Sequence, residues 1–180
     1  MEPPYEAEID NQLQAMMPPG VPPIALFRTF VRNPPMAAAM QPWGRHELSR
    51  ALGVGLRERE IVIDRTCARC GCEYEWGVHV AFFGDRAGLD PDQVRSLTHG
   101  GPGDPCWESE RDRLLLRLVD ELHETSDVSD GLWEQLRPEF SEAQLLDLFL
   151  LCGWYHAISF TARAARVTLE EGAPTFESVR

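Results

Sequence analysis

Lysine is missing altogether: all 17 basic residues of the 180-residue chain are arginine. Schiff-base and lysine general-base chemistry are therefore excluded. Any cation that holds a substrate carboxylate has to be an arginine, which stays charged and grips carboxylates bidentately. Positive charge is short overall, since 29 acidic residues leave a net charge of −12. Nucleic-acid binding by counterion release would work against general repulsion, and no nucleic-acid partner is expected. No stretch approaches the roughly 20 uninterrupted apolar residues of a membrane span. The acidic start MEPPYEAEID has neither the positive charge nor the apolar run of a signal peptide, so the expected setting is cytoplasmic, with no membrane partner. Cysteine is limited to five residues, an odd number that fits poorly with a disulfide framework. In a reducing compartment these are thiols unless catalysis or a metal uses them. Nor does any window alternate strictly between polar and apolar, so the expected fold class is all-α.

What is present fills one core. At 43% apolar content the chain supports a single domain, expected over residues 24–180, preceded by a proline-rich N-terminal arm at 1–23. The arm ends in MMPPGVPP, which cannot be a helix interior and reads as extended. IALFRTFVRN (24–33) has helical spacing and stops at Pro34 and Pro35, and a second short helix is expected over 36–53. LREREIVIDRTCARC predicts a helix from Leu56 to the break at Gly71, and another runs from Cys72 to about Gly88. Asp90 with Pro91 opens a short helix to residue 97, and THGGPGDP is a loop. WESERDRLLLRLVDELHET (107–125) turns Leu114, Leu115, Leu118, Val119 and Leu122 inward. Ser129 caps DGLWEQL, and Ser141 with Gln144 is a capping box for the last helix, expected over 142–169. The apolar middle of that helix suggests a central or inter-subunit position. Its CGWYHAISF repeats the Cys, Trp and His order of CEYEWGVHV (72–80), as two helices around a pseudo-symmetric core would.

CARCGCEYEWGVHV (67–80) concentrates the chemistry, with three of the five cysteines, two glutamates and a histidine. On a helix starting at Cys72, a turn of about 100° per residue puts Glu75 and His79 on the Cys72 face, so the three can share a pocket. Glu75 and His79 are an i, i+4 pair, and a carboxylate beside an imidazole raises its pKa and orients it. The helix N-terminus favours a Cys72 thiolate and the neighbouring carboxylate opposes it. Glu60 joins this group only if the preceding helix folds back after Gly71. A zinc site from Cys67, Cys70, Cys72 and His79 has the ligand count, but Gly71 divides it and no second CxxC exists, so no metal is assigned. Cys67-x-x-Cys70 has dithiol spacing at a helix end rather than a helix start. Cys106 and Cys152 read as buried, inert thiols.

LREREIVIDRTCARCGCEYEWGVHVAFFG resembles the core of the carboxymuconolactone decarboxylase family, similar in fold to alkylhydroperoxidase D. The likeness centres on residues 56–88 and extends from IALFRTFVRNP to about residue 125. The family pattern is a glutamate, a cysteine twelve residues later, a second cysteine three later and a histidine four later. Glu60, Cys72 and His79 fall on the glutamate, first-cysteine and histidine positions, and Glu75 takes the second-cysteine position. The resemblance implies an AhpD-like multi-helix subunit in a homo-oligomeric ring, a trimer or hexamer, with its site near a subunit boundary.

Three functions compete on these residues. The first is cofactor-free acid/base catalysis on a small anionic organic acid or lactone. There His79 is the acid or base, Glu60 and Glu75 tune it, Arg65 or Arg69 holds the substrate carboxylate, and Trp76 borders the substrate. The second is a thiol peroxidase that oxidises Cys72 to a sulfenic acid, with Cys70 or Cys67 as resolving thiol in place of the missing second cysteine. The third is a non-enzymatic oligomeric binding protein that keeps the fold.

Overall fold

Prolines mark two of the helix starts in this chain. Asn33 accepts from the backbone of Met36 ahead of Pro34 and Pro35, and Asp90 caps the helix that Pro91 opens. A computed structural model, describing residues 3–180, shows helices α1 (Ala7–Met16), α2 (Ala25–Phe30), α3 (Pro34–Glu47), α4 (Leu56–Arg69), α5 (Glu73–Ala87), α6 (Pro91–His99), α7 (Glu110–Thr125), α8 (Asp130–Leu136) and α9 (Glu142–Ala164). No strand occurs among the described residues, and the all-α expectation holds.

α4 is the hub, packing on α5, α6, α7 and α9. Its stretch from Arg59 to Cys67 is buried at every position, although it carries Arg59, Glu60, Asp64 and Arg65. Charges in such a place must find partners. Arg65 does so on α7, where it meets Asp120 at 2.8 Å, and the flanking arginines extend the ladder: Arg57 meets Asp112 at 2.9 Å and Arg69 meets Glu124 at 2.5 Å. Each acid lies 55 residues beyond its arginine, so α4 and α7 run parallel in constant register, with the arginines at helical spacing on one face.

Gly71 reverses the chain between α4 and α5 with φ at +64°, a conformation open to glycine at little cost. The Glu60 helix does fold back onto the His79 helix. Behind α9 the chain returns over α5. The Phe176 ring packs edge-on to Trp76 with centroids 5.1 Å apart, its N–H donates to Glu73 at 2.7 Å, and the Pro174 carbonyl would lie 2.6 Å from any Cβ added to Gly77.

Four expectations need correction. Within residues 1–23, read as an extended arm, Ala7–Met16 is a helix whose Leu13 is buried; the prolines restrict only its flanks. α3 begins at Pro34 and ends at Glu47 rather than spanning 36–53, because proline is at home in a first turn. α7 starts at Glu110, capped by Ser109, and not at Trp107. α9 ends at Ala164 instead of 169.

α9 is long and apolar enough to cross a membrane by length and composition, and half of that window is buried inside the fold. Its outer face carries Ala143, Leu146, Leu150, Gly153, Ala157, Phe160 and Ala164, all exposed, with Leu146, Leu150 and Phe160 at 61%, 53% and 64%.

Candidate functional site

His79 is reached from three helices. Its Nδ1 lies 2.7 Å from Glu60 Oε2 on α4, and its Nε2 lies 3.0 Å from the Tyr155 hydroxyl on α9 and 3.6 Å from Glu75 Oε1 on its own helix. Arg59 donates to the other Glu60 oxygen at 2.7 Å through Nε, and also donates to the Leu48 carbonyl. Glu60, His79, Glu75, Tyr155 and Arg59 are all buried. Phe83, half-buried, has its ring centroid 5.3 Å from the imidazole, and the Arg59 guanidinium lies 5.0 Å from the same ring centroid.

These contacts fix the charges. Burial pushes the imidazole down, but the Glu60 carboxylate and its hydrogen bond, joined by Glu75, outweigh it and lift His79 to about 10. Burial likewise works against the Glu60 carboxylate, and His79 with Arg59 still hold it below its ordinary value. The centre is therefore an imidazolium between carboxylates, donating through Nδ1 to Glu60 and through Nε2 toward Tyr155 and Glu75. The Tyr155 hydroxyl is pushed well up by burial and the carboxylates and stays a phenol.

Asp64 stands one turn beyond Glu60, completely buried, and neither of its oxygens has a partner. Burial and the neighbouring Glu60 charge push it well above the carboxylate range, which makes it a neutral acid behind the pair.

Of the residues picked from sequence, Glu60, Glu75 and His79 come together. Cys72 caps α5 and is fully buried; its thiol is turned toward Ser159 and the Glu75 backbone. Burial raises the thiols of Cys67, Cys70 and Cys72, and the Ser159 hydroxyl sits among all three. Trp76 is buried under Phe176 with its indole nitrogen unpartnered. Arg65 and Arg69 belong to the α7 ladder. The correction is geometric: five and nine residues past Glu60 put them about 140° and 180° around the helix from it. Arg59, beside Glu60, is the arginine at this centre.

Arg59, Asp64 and Tyr155 were not found from sequence. Asp64 is i+4 from Glu60, a spacing that could have flagged it. Tyr155 sits inside the CGWYHAISF echo, whose helix does pack on α5. Two open surface depressions, of about 510 and 430 Å³, lie along α6, and His79 lines neither. Comparison with protein-family models, with curated proteins and with solved structures returned no match, so the chemistry rests on this geometry alone.

Proposed function

We propose that this chain is a cofactor-free acid/base enzyme in which His79, charged and held by Glu60, protonates a small anionic lactone or keto acid. The carrying observation is the buried Glu60–His79 contact at 2.7 Å, which keeps a proton donor charged inside an apolar interior. For a β-keto acid, the bond between the α-carbon and the carboxylate carbon breaks and its electron pair stays on the substrate as an enolate. The Nε2 proton passes to the α-carbon that carried the carboxylate, carbon dioxide leaves, and solvent returns a proton to the imidazole. Arg59 is the cation for the substrate carboxylate, and Phe83 swings aside to admit it. The thiol peroxidase reading has less support, because Cys72 is fully buried and Glu75 occupies the second-cysteine position.

The test is a panel of small lactones and keto acids, followed by substrate loss and carbon dioxide release. Turnover by the wild type should fall at least about 100-fold in His79→Asn. Equal turnover by both proteins would sink the proposal.

We further propose that the chain self-associates through α9. The exposed apolar residues 143, 146, 150, 153, 157, 160 and 164 follow 3,4 spacing without interruption, the pattern of a helix that packs on another helix. Gly153 lies at the middle, and a Cβ there would meet nothing within 4 Å, so the subunit itself has no steric need for glycine. A close-approaching second helix supplies one. Antiparallel pairing about Gly153 sets Leu150 across from Ala157 and Leu146 across from Phe160. It also brings the acidic start at Glu142 against the Arg163 and Arg166 end of a second copy. Such a two-fold contact makes a dimer alone and a hexamer when combined with a three-fold.

A further inference from the structure

Away from His79, three side chains far apart in sequence converge where α4, α7 and α9 meet. Cys70 Sγ lies 3.9 Å from His123 Nδ1, and His123 Nδ1 lies 3.0 Å from His156 Nε2. All three donor atoms fall within 4.8 Å of one another. Around a tetrahedral zinc ion, bond lengths of about 2.3 Å to sulfur and 2.0–2.1 Å to nitrogen separate S and N by about 3.6 Å and N and N by about 3.4 Å. The observed pairs straddle those values by a few tenths of an ångström.

The tautomers favour a ligand role. His156 Nδ1 donates to the Cys152 carbonyl one turn back, at 2.8 Å, which leaves the Nε2 lone pair aimed at the cluster. An outer hydrogen bond of this kind is what orients imidazoles on metals. His123 and His156 are only half-buried, so a path to solvent exists.

We propose that Cys70, His123 and His156 form a binding site for a divalent transition metal of the zinc type, with one thiolate, two imidazoles and a fourth position open to water. On binding, the Cys70 S–H bond gives way to a metal–sulfur bond and its proton passes to buffer. The His123 proton moves to the outward Nε2. No redox step is involved. The site pins the end of α4 to α7 and α9 and withdraws Cys70 from thiol chemistry. It is independent of the acid/base proposal for His79.

The test is titration of the metal-free full-length chain with Co²⁺ as a spectroscopic probe. One equivalent should give tetrahedral visible bands and a thiolate-to-cobalt charge-transfer band, and Zn²⁺ should displace it. Cys70→Ser, His123→Gln and His156→Gln should each weaken binding at least about 100-fold, while Cys72→Ser and His79→Asn retain it. A wild-type chain without the charge-transfer band overturns the proposal whatever the variants do. So does binding lost in Cys72→Ser but kept in folded His123→Gln, which would move the metal to the cysteine cluster. As a second readout, Zn²⁺ should raise the melting temperature of the wild type and not that of His156→Gln.

Discussion

Glu60 Oε2 and His79 Nδ1 lie 2.7 Å apart, although 19 residues and a chain reversal separate the two positions. Removing the charge from Glu60 takes the nearest carboxylate from two buried cations, His79 and Arg59. Glu60→Gln is expected to lower the His79 pKa toward or below its ordinary value, to cost about 3–5 kcal/mol of stability, and to abolish turnover. Imidazole NMR titration and urea unfolding check the first two. An unmoved His79 titration would show that Glu60 is not what holds its proton.

The same pair sets a pH dependence of known sign. His79 is raised from 6.5 to about 10, so the folded state binds its proton more tightly than the unfolded chain does. The resulting stability is complete below 6.5 and is lost as pH rises from 6.5 to about 10, by an amount on the order of a few kcal/mol. Asp64, raised in the fold, has the same sign: its contribution is complete below its unfolded value of 3.8 and is lost as pH rises through the folded value. Urea midpoints should therefore fall between pH 7 and pH 9. A midpoint that rises with pH over that range would contradict the His79 assignment.

Cys72 should be chemically quiet. Its side chain is fully buried, so alkylating reagents should modify it only as fast as the fold opens. Peroxide should leave no sulfenic acid there in mass spectra, and Cys72→Ala should keep turnover within about threefold. Rapid oxidation at Cys72 would return the thiol reading to first place.

Gly153→Leu separates assembly from folding. A Cβ at this exposed position meets nothing within 4 Å, and leucine replaces a poor helix former, so the monomer should gain up to about 1 kcal/mol. At the centre of the proposed contact it should instead force two helices apart. Light scattering should show the wild type as a multimer and the variant at a lower mass. If both have the same mass, α9 does not carry the assembly.

Helices were legible where punctuation is chemical. Ser141 with Gln144, Ser129, and Asp90 with Pro91 each cap the helix they announce, because their side chains satisfy first-turn N–H groups. α1 was missed because prolines on both sides drew attention from Ile9, Leu13 and Met16, which have helical spacing. Within the candidate site, the Glu75 and His79 face followed from local geometry. Arg65 and Arg69 were placed wrongly because partner choice across helices depends on register, here the offset of 55 that pairs them with α7. The Cys70, His123 and His156 cluster was illegible for the same reason, since no local spacing joins three helices.

The bare backbone at Gly77 faces the Pro174 carbonyl, which leaves no space for a methyl group. A glycine and a distant tail are thereby bound into one inheritance. A side chain at 77 lifts the tail from Trp76, and a chain that has lost its tail no longer needs the glycine. In descendants and ancestors of this chain, the two features should come and go together, and position 77 alone would then tell whether α5 is still covered.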